Sequence, residues 1–151
     1  MNLVMRPARE SDVPAIVAML ADDWLSASRE STATEDLGAY LGAFARIAAD
    51  PAQLLAVGEI DGQVVGTLQL TVVPGLSRQG QAFALLQAVR IAADRRGQGL
   101  GASMIGWAQD QARSRGCAYI ELLTNTARRD AQRFYDRLGY AASHVGMRRA
   151  L

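Results

Sequence analysis

The chain is 151 residues long, 50% hydrophobic and 21% charged, a composition that excludes a disordered segment and suits one domain with a real core. Sixteen basic against fifteen acidic residues leave a net charge of +1, so nothing global points to nucleic acid or an anionic membrane. The single cysteine, Cys117, excludes an intrachain disulfide and suits a reducing cytoplasm.

No basic region followed by an apolar stretch opens the chain, so no signal peptide is expected. No apolar run reaches membrane-spanning length. Leu3 to Arg6 reads as a first strand stopped by Pro7. Ser11 or Asp12 can cap the helix that follows, with Pro14 in its first turn and a stripe of Val13, Ile16, Val17, Leu20 and Trp24. After the polar stretch Ser26 to Thr32, a second helix carries Leu37, Tyr40, Leu41, Phe44, Ile47 and Ala48, and Asp50-Pro51 ends it. Leu54 to Ile60 and Val64 to Val73 are strands joined by Asp61-Gly62, a strong hairpin signal. Pro74 to Gly80 is a loop and Phe83 to Ile91 a third long strand.

A glycine-rich loop follows, then a helix ending near Arg115-Gly116. Ala118 to Leu123 is the next strand, and Cys117 just before it, beside apolar Ala118, reads as a buried small hydrophobe. Thr124-Asn125-Thr126 can cap a last helix with Ala131, Phe134, Tyr135 and Leu138, closed by Gly139. The tail from Tyr140 to Leu151 has room for one or two short strands. The order β-α-α-β-β-β-α-β-α-β implies an α/β fold: one mixed sheet with helices on both faces, spanning 1–151 as a single domain.

The chemistry concentrates in Val89 to Ala102. An apolar run ends, two arginines follow, and Gly97, Gly99 and Gly101 lead into a helix whose first N–H groups lack partners. Glycines let a ligand approach those groups and arginine adds charge, which suits a phosphate or diphosphate. A nucleotide-hydrolysing P-loop is excluded, because Ala102 and Ser103 follow Gly101 where Lys and Ser or Thr are needed. A dinucleotide fingerprint matches Gly97, Gly99 and Ala102, with Glu121 further on, but five residues separate the strand end at Ile91 from Gly97. Too little chain follows to complete that sheet.

Arg96-Gly97-Gln98-Gly99-Leu100-Gly101 resembles the pyrophosphate loop of the GNAT superfamily of acetyl-CoA-dependent N-acetyltransferases, and the element order resembles that fold along the whole chain. The resemblance implies acetyl-CoA as co-substrate and no metal. It implies that the backbone of Val89, Arg90 and Ile91 holds pantetheine beside a strand bulge, while Arg96, Gly97, Gln98, Gly99, Leu100, Gly101 and Ala102 cradle the diphosphate. A second match, Ala131-Gln132-Arg133-Phe134-Tyr135-Asp136-Arg137-Leu138-Gly139-Tyr140, is similar to the family's Ala-x-x-Phe-Tyr-x-x-Leu-Gly-Phe segment. There Phe134 and Tyr135 would border the cofactor, and Tyr135 would protonate the departing thiolate.

Two positions depart from the family pattern. Arg128 stands where an asparagine often contacts the cofactor, leaving Asn125 nearby either to cap the helix or to reach pantetheine. Gln87 stands where a glutamate often serves as general base, and glutamine cannot take up a proton at neutral pH. Glu121, His144, Glu30 and Glu35 are the alternative bases, beside a water chain reaching bulk solvent. Arg128, Arg129, Arg133 and Arg137 read as a solvated helix face without interleaved aromatic residues, so no nucleic-acid site is expected. The resemblance implies a cytoplasmic enzyme, a small-molecule or protein amine as acceptor, and a homodimer. The rival is a non-catalytic acyl-CoA-binding or regulatory module that kept the loop and lost its base.

Overall fold

The computed structural model describes residues 2–151, so Met1 lies outside it. Two compact units divide the chain, Met1–Glu121 and Leu122–Leu151. The elements are β1 (Val4–Pro7), α1 (Val13–Ala21), α2 (Leu37–Ala49), β2 (Gln53–Ile60), β3 (Gln63–Val73), β4 (Ala82–Ile91), α3 (Leu100–Ser114), β5 (Cys117–Leu122) and α4 (Arg129–Arg137). The strands form one mixed sheet in the order β1-β2-β3-β4-β5, with β1 to β4 antiparallel. Asp61 and Gly62, at φ 51° and 77°, make the two-residue turn that joins β2 to β3.

Helices cover both faces. Thr67 and Gln69 of β3 lie under α1 and α2, while Gly66, pointing the opposite way, lies under α3. Gly58 and Gly66 are register partners, and a Cβ on Gly66 would meet Met104 Sδ at 2.5 Å. This pair of missing side chains opens a slot into which the fully buried Met104 fits, seating α3 against the sheet. Val13, Ile16 and Val17 of α1, Leu68 and Leu70 of β3, and Ile105 and Ala108 of α3 supply much of the remaining core.

Three expectations are corrected. Trp24 is 72% exposed, because α1 stops at Ala21 and the helical period no longer applies three residues later. Asp12 occupies the position before α1 without capping it, since its carboxylate accepts from the Arg9 N–H at 2.7 Å and from the Arg6 guanidinium at 2.7 and 3.0 Å. The tail forms no strand: residues 141–151 are exposed throughout, including Val145, Met147 and Leu151. A short strand needs a partner ladder and an apolar face to bury, and the described structure gives this segment neither.

Arg6 also donates to Glu59 Oε1 at 2.6 Å, so one guanidinium ties β1, the start of α1 and β2 together. Its hydrogen bond holds the Asp12 carboxyl below the usual carboxylate range against the opposing effect of burial. A carboxylate depressed in the folded state stabilises above its unfolded pKa of about 3.9, and that contribution is lost as pH falls through the folded value. Asp12→Asn is therefore expected to cost about 2–3 kcal/mol at neutral pH, a gap that narrows as pH falls below the unfolded value toward the depressed folded one. Urea unfolding at pH 7 and pH 3 checks this; an equal gap at both pH values would contradict it.

Candidate active site

Within the first unit, the loop between β4 and α3 is shaped by two residues in the left-handed region, Gly97 (φ 75°) and Gly99 (φ 79°). A Cβ at either would meet nothing within 4 Å, so the glycines are there for the turn and for access. Gly99 is the N-cap of α3 and no side chain caps that end, which leaves its first N–H groups as donors. Leu100 contributes only backbone, because its side chain packs with Ile60 and Val65. Arg96 fastens the loop rather than projecting from it: Nε donates to the Ile91 carbonyl at 3.2 Å, and Nη2 to the Asp22 carbonyl and carboxylate at 3.1 and 3.2 Å. The Gln98 side chain donates to Asp94 O at 3.3 Å. Gly101 is half-buried and Ala102 exposed on the first turn of the helix. The result is a dipole-positive, side-chain-poor pocket edge able to hold a diphosphate.

Beside it, β4 carries a bulge. Thr67 pairs with Arg90 but Gln69 pairs with Gln87, so Leu68 alone faces Ala88 and Val89. Ala88 has φ 53°, a conformation that costs a non-glycine residue about 1–2 kcal/mol. The bulge resets the strand's alternation, so Gln87 and Arg90, three apart, share the face that carries Gln69 and Thr67. Arg90 thereby reaches the segment after α1: Nη2 lies 3.3 Å from Ser26 Oγ and 3.6 Å from Asp23 Oδ2, while Nη1 donates to Val89 O at 2.9 Å. Gln87 is exposed, with no carboxylate in its place.

Under α1 and α2, on the same face, is an apolar chamber of about 170 Å³. Val13, Val17, Phe44 and Leu55 are among its walls, and Ala88 stands at its edge. Tyr40, another wall, donates its hydroxyl to Glu30 Oε2 at 2.8 Å and accepts the Ser31 N–H at 2.9 Å. Asp23, Tyr40 and Ala88 were not singled out as site residues by sequence, and only the apolar pattern of α2 hinted at Tyr40. On β5, Glu121 is exposed and shares its face with Tyr119, whose ring stacks on Phe83 at 5.1 Å. Burial pushes the Cys117 thiol up, away from reactivity.

In the second unit, Asn125 makes a local turn, its Oδ1 accepting from Ala127 N at 2.9 Å and its carbonyl from Gln132 at 3.3 Å, so it does not cap α4. Tyr135 packs edge-on to Phe134 at 5.1 Å and to Tyr140 at 5.5 Å. Gly139, at φ 89°, closes the helix. His144 is exposed, with Nδ1 2.7 Å from Ser143 Oγ. The residues from Val89 to Ala102 expected to hold the cofactor thus lie in the first unit, and Asn125, Phe134, Tyr135 and His144 belong to the second. Among the described residues, no cluster of His, Cys, Asp and Glu is arranged to hold a metal, and no helix is long and apolar enough to cross a membrane.

Comparison with known proteins agrees with this geometry. Residues 14–140 match the model of the acetyltransferase (GNAT) family. The chain is 34% identical over 116 residues to an aminoalkylphosphonate N-acetyltransferase of Salmonella typhimurium, covering 77% of this chain and 75% of that protein. Among solved structures, a transcriptional regulator from Bacillus halodurans is 39% identical with a TM-score of 0.96, covering 99% of this chain and all of that one. An acetyltransferase from Trypanosoma brucei is 26% identical with a TM-score of 0.79, over 99% and 100% of the two chains. With its mixed five-stranded sheet, its glycine loop and its matched sequence, the chain belongs to the GNAT family and is an acyltransferase of the kind that draws on acetyl-CoA.

Proposed function

We propose that this protein transfers the acetyl group of acetyl-CoA to the primary amine of a small aminoalkyl acceptor. The observation that carries the reading is the run of backbone donors from Gly97 to Ala102 next to the bulge at Ala88 and Val89. The loop takes the diphosphate, and the backbone of Val89 and Ile91 takes the pantetheine arm. The amine attacks the thioester carbonyl directly, so the C–N bond forms as the C–S bond breaks. A backbone N–H on the bulged strand polarises the carbonyl oxygen, and Tyr135 protonates the leaving thiolate. The aminoalkyl class is suggested by the Salmonella relative, whose name specifies such an acceptor. In this reading both units serve one acetyltransferase domain, cytoplasmic and homodimeric as the resemblance implies.

Thiol release in steady state, with acetyl-CoA and a panel of aminoalkylphosphonates, amino acids, polyamines, aminoglycosides and peptide N-termini, tests the reading. All sixteen basic residues are arginine, so no lysine side chain of the protein itself can act as acceptor and raise the background. Turnover is expected on small aminoalkyl compounds. Tight CoA binding with no turnover on any amine would instead favour the non-catalytic module to which Gln87 points. Rate profiles against pH for Glu121→Gln and His144→Ala show whether either supplies the base.

A further inference from the structure

We infer that Arg90 and Arg96 hold the place of the pantetheine arm. Each guanidinium sits on a carbonyl that the arm takes over, so acetyl-CoA enters by displacing both. The inference rests on the acetyltransferase reading and names the side chains that control entry to that site.

Backbone direction decides which groups of β4 a ligand can use. Ala92 N donates to Val65 O at 2.9 Å, so Ala92 turns its polar groups toward β3. Along an extended strand those groups alternate sides, and Ile91 therefore points its own away from β3, as does Val89. Their carbonyls are the ones open to an arm lying along β4. Each already carries a charged donor. Arg90 Nη1 donates to Val89 O at 2.9 Å, and Arg96 Nε donates to Ile91 O at 3.2 Å. The amide N–H groups of pantetheine are neutral, and a charged donor makes the stronger bond. The arm gains these carbonyls only when the guanidiniums let go.

Both arginines have another partner within reach. Arg90 Nη2 lies 3.3 Å from Ser26 Oγ and 3.6 Å from Asp23 Oδ2, a loose ion pair. The Asp23 side chain is only 10% exposed, and its carboxylate accepts from Ser26 Oγ at 2.7 Å. A small shift of the guanidinium off Val89 tightens that pair into a charge-assisted hydrogen bond. Arg96 Nη2 already bonds the Asp22 carbonyl and carboxylate, and its side chain is about half exposed. It stands in the loop that takes the diphosphate, and its charge turns to that anion once Nε leaves Ile91. Asp22 and Asp23 are consecutive, so one short stretch after α1 anchors both guanidiniums.

The test is binding to the full-length protein by isothermal titration, with the cofactor and its halves as probes. These are acetyl-CoA, S-acetylpantetheine, which lacks the diphosphate, and ADP, which lacks the arm. Arg90→Met keeps an apolar stem and removes the donors. It should bind S-acetylpantetheine about tenfold more tightly than the wild type does, with ADP affinity unchanged. Arg96→Met should split the halves, S-acetylpantetheine gaining by a similar factor while ADP loses about tenfold. A side chain that only held the fold together would weaken these ligands and tighten none. Arg90→Met takes a charge from beside the nearly buried Asp23, so Asp23→Asn combined with it serves if the single variant does not fold. S-acetylpantetheine affinity that is unchanged or lower in either folded arginine variant would overturn the inference, and acetyl-CoA binding with turnover in the wild type would leave the acetyltransferase reading intact. A wild type that binds neither acetyl-CoA nor ADP overturns that reading, and this inference with it.

Discussion

Gly99→Asp is expected to weaken acetyl-CoA binding by about 100-fold or more while the protein stays folded. Gly99 is the N-cap of α3, at φ 79°, and space around a Cβ there is open. The fold therefore loses only the modest strain of a left-handed residue, which aspartate tolerates better than most. The ligand, by contrast, meets a carboxylate within a few ångströms of its diphosphate. A like charge at about 5 Å with an effective dielectric of about 20 costs about 3 kcal/mol, which is the expected 100-fold. Gly99→Asn separates charge from conformation, because it takes the same backbone geometry with a neutral side chain; its loss should stay within about tenfold. Isothermal titration with acetyl-CoA, alongside thermal melting, gives both numbers. Wild-type affinity in Gly99→Asp would remove the diphosphate from this loop.

Tyr135→Phe is expected to lower kcat about 100-fold with acetyl-CoA affinity almost unchanged. The ring's edge-on packing against Phe134 and Tyr140 is kept by phenylalanine, so the substitution isolates the hydroxyl. If that hydroxyl protonates the leaving thiolate, the deficit should shrink with an acyl donor whose thiol is more acidic and leaves without help. Stopped-flow or steady-state rates with acetyl-CoA and an activated thioester provide the comparison. Equal kcat for variant and wild type would exclude Tyr135 from the chemistry.

What was legible in the sequence was mostly what local chemistry dictates. Asp61-Gly62, Gly116 and Gly139 sit at positive φ where the chain must turn, and each was readable as a turn or a helix stop. The glycine loop was readable for the same reason, since three glycines beside a helix start leave few other roles. The bulge is different. Ala88 adopts a conformation that alanine does not advertise, and only the pairing of β4 with β3 imposes it. The Arg90–Ser26 contact joins positions 64 apart, and no periodicity within either segment announces it. The chamber escaped for a related reason: Ala43 and Ala88 look like ordinary fillers until the fold leaves space beside them. Trp24 was read too far in the opposite direction, because the helical period was extended past the end of α1 at Ala21.

The central claim is that main-chain N–H groups from Gly97 to Ala102 grip the diphosphate of acetyl-CoA. Amide-detected NMR of uniformly labelled protein, titrated with acetyl-CoA and separately with NADH, addresses those groups one by one. The account predicts large saturable shifts at Gly97, Gly99, Leu100 and Gly101 with acetyl-CoA, smaller ones at Val89 and Ile91, and none of comparable affinity with NADH. Saturable acetyl-CoA binding that leaves those loop amides in place, or a loop that answers NADH and ignores acetyl-CoA, would contradict it.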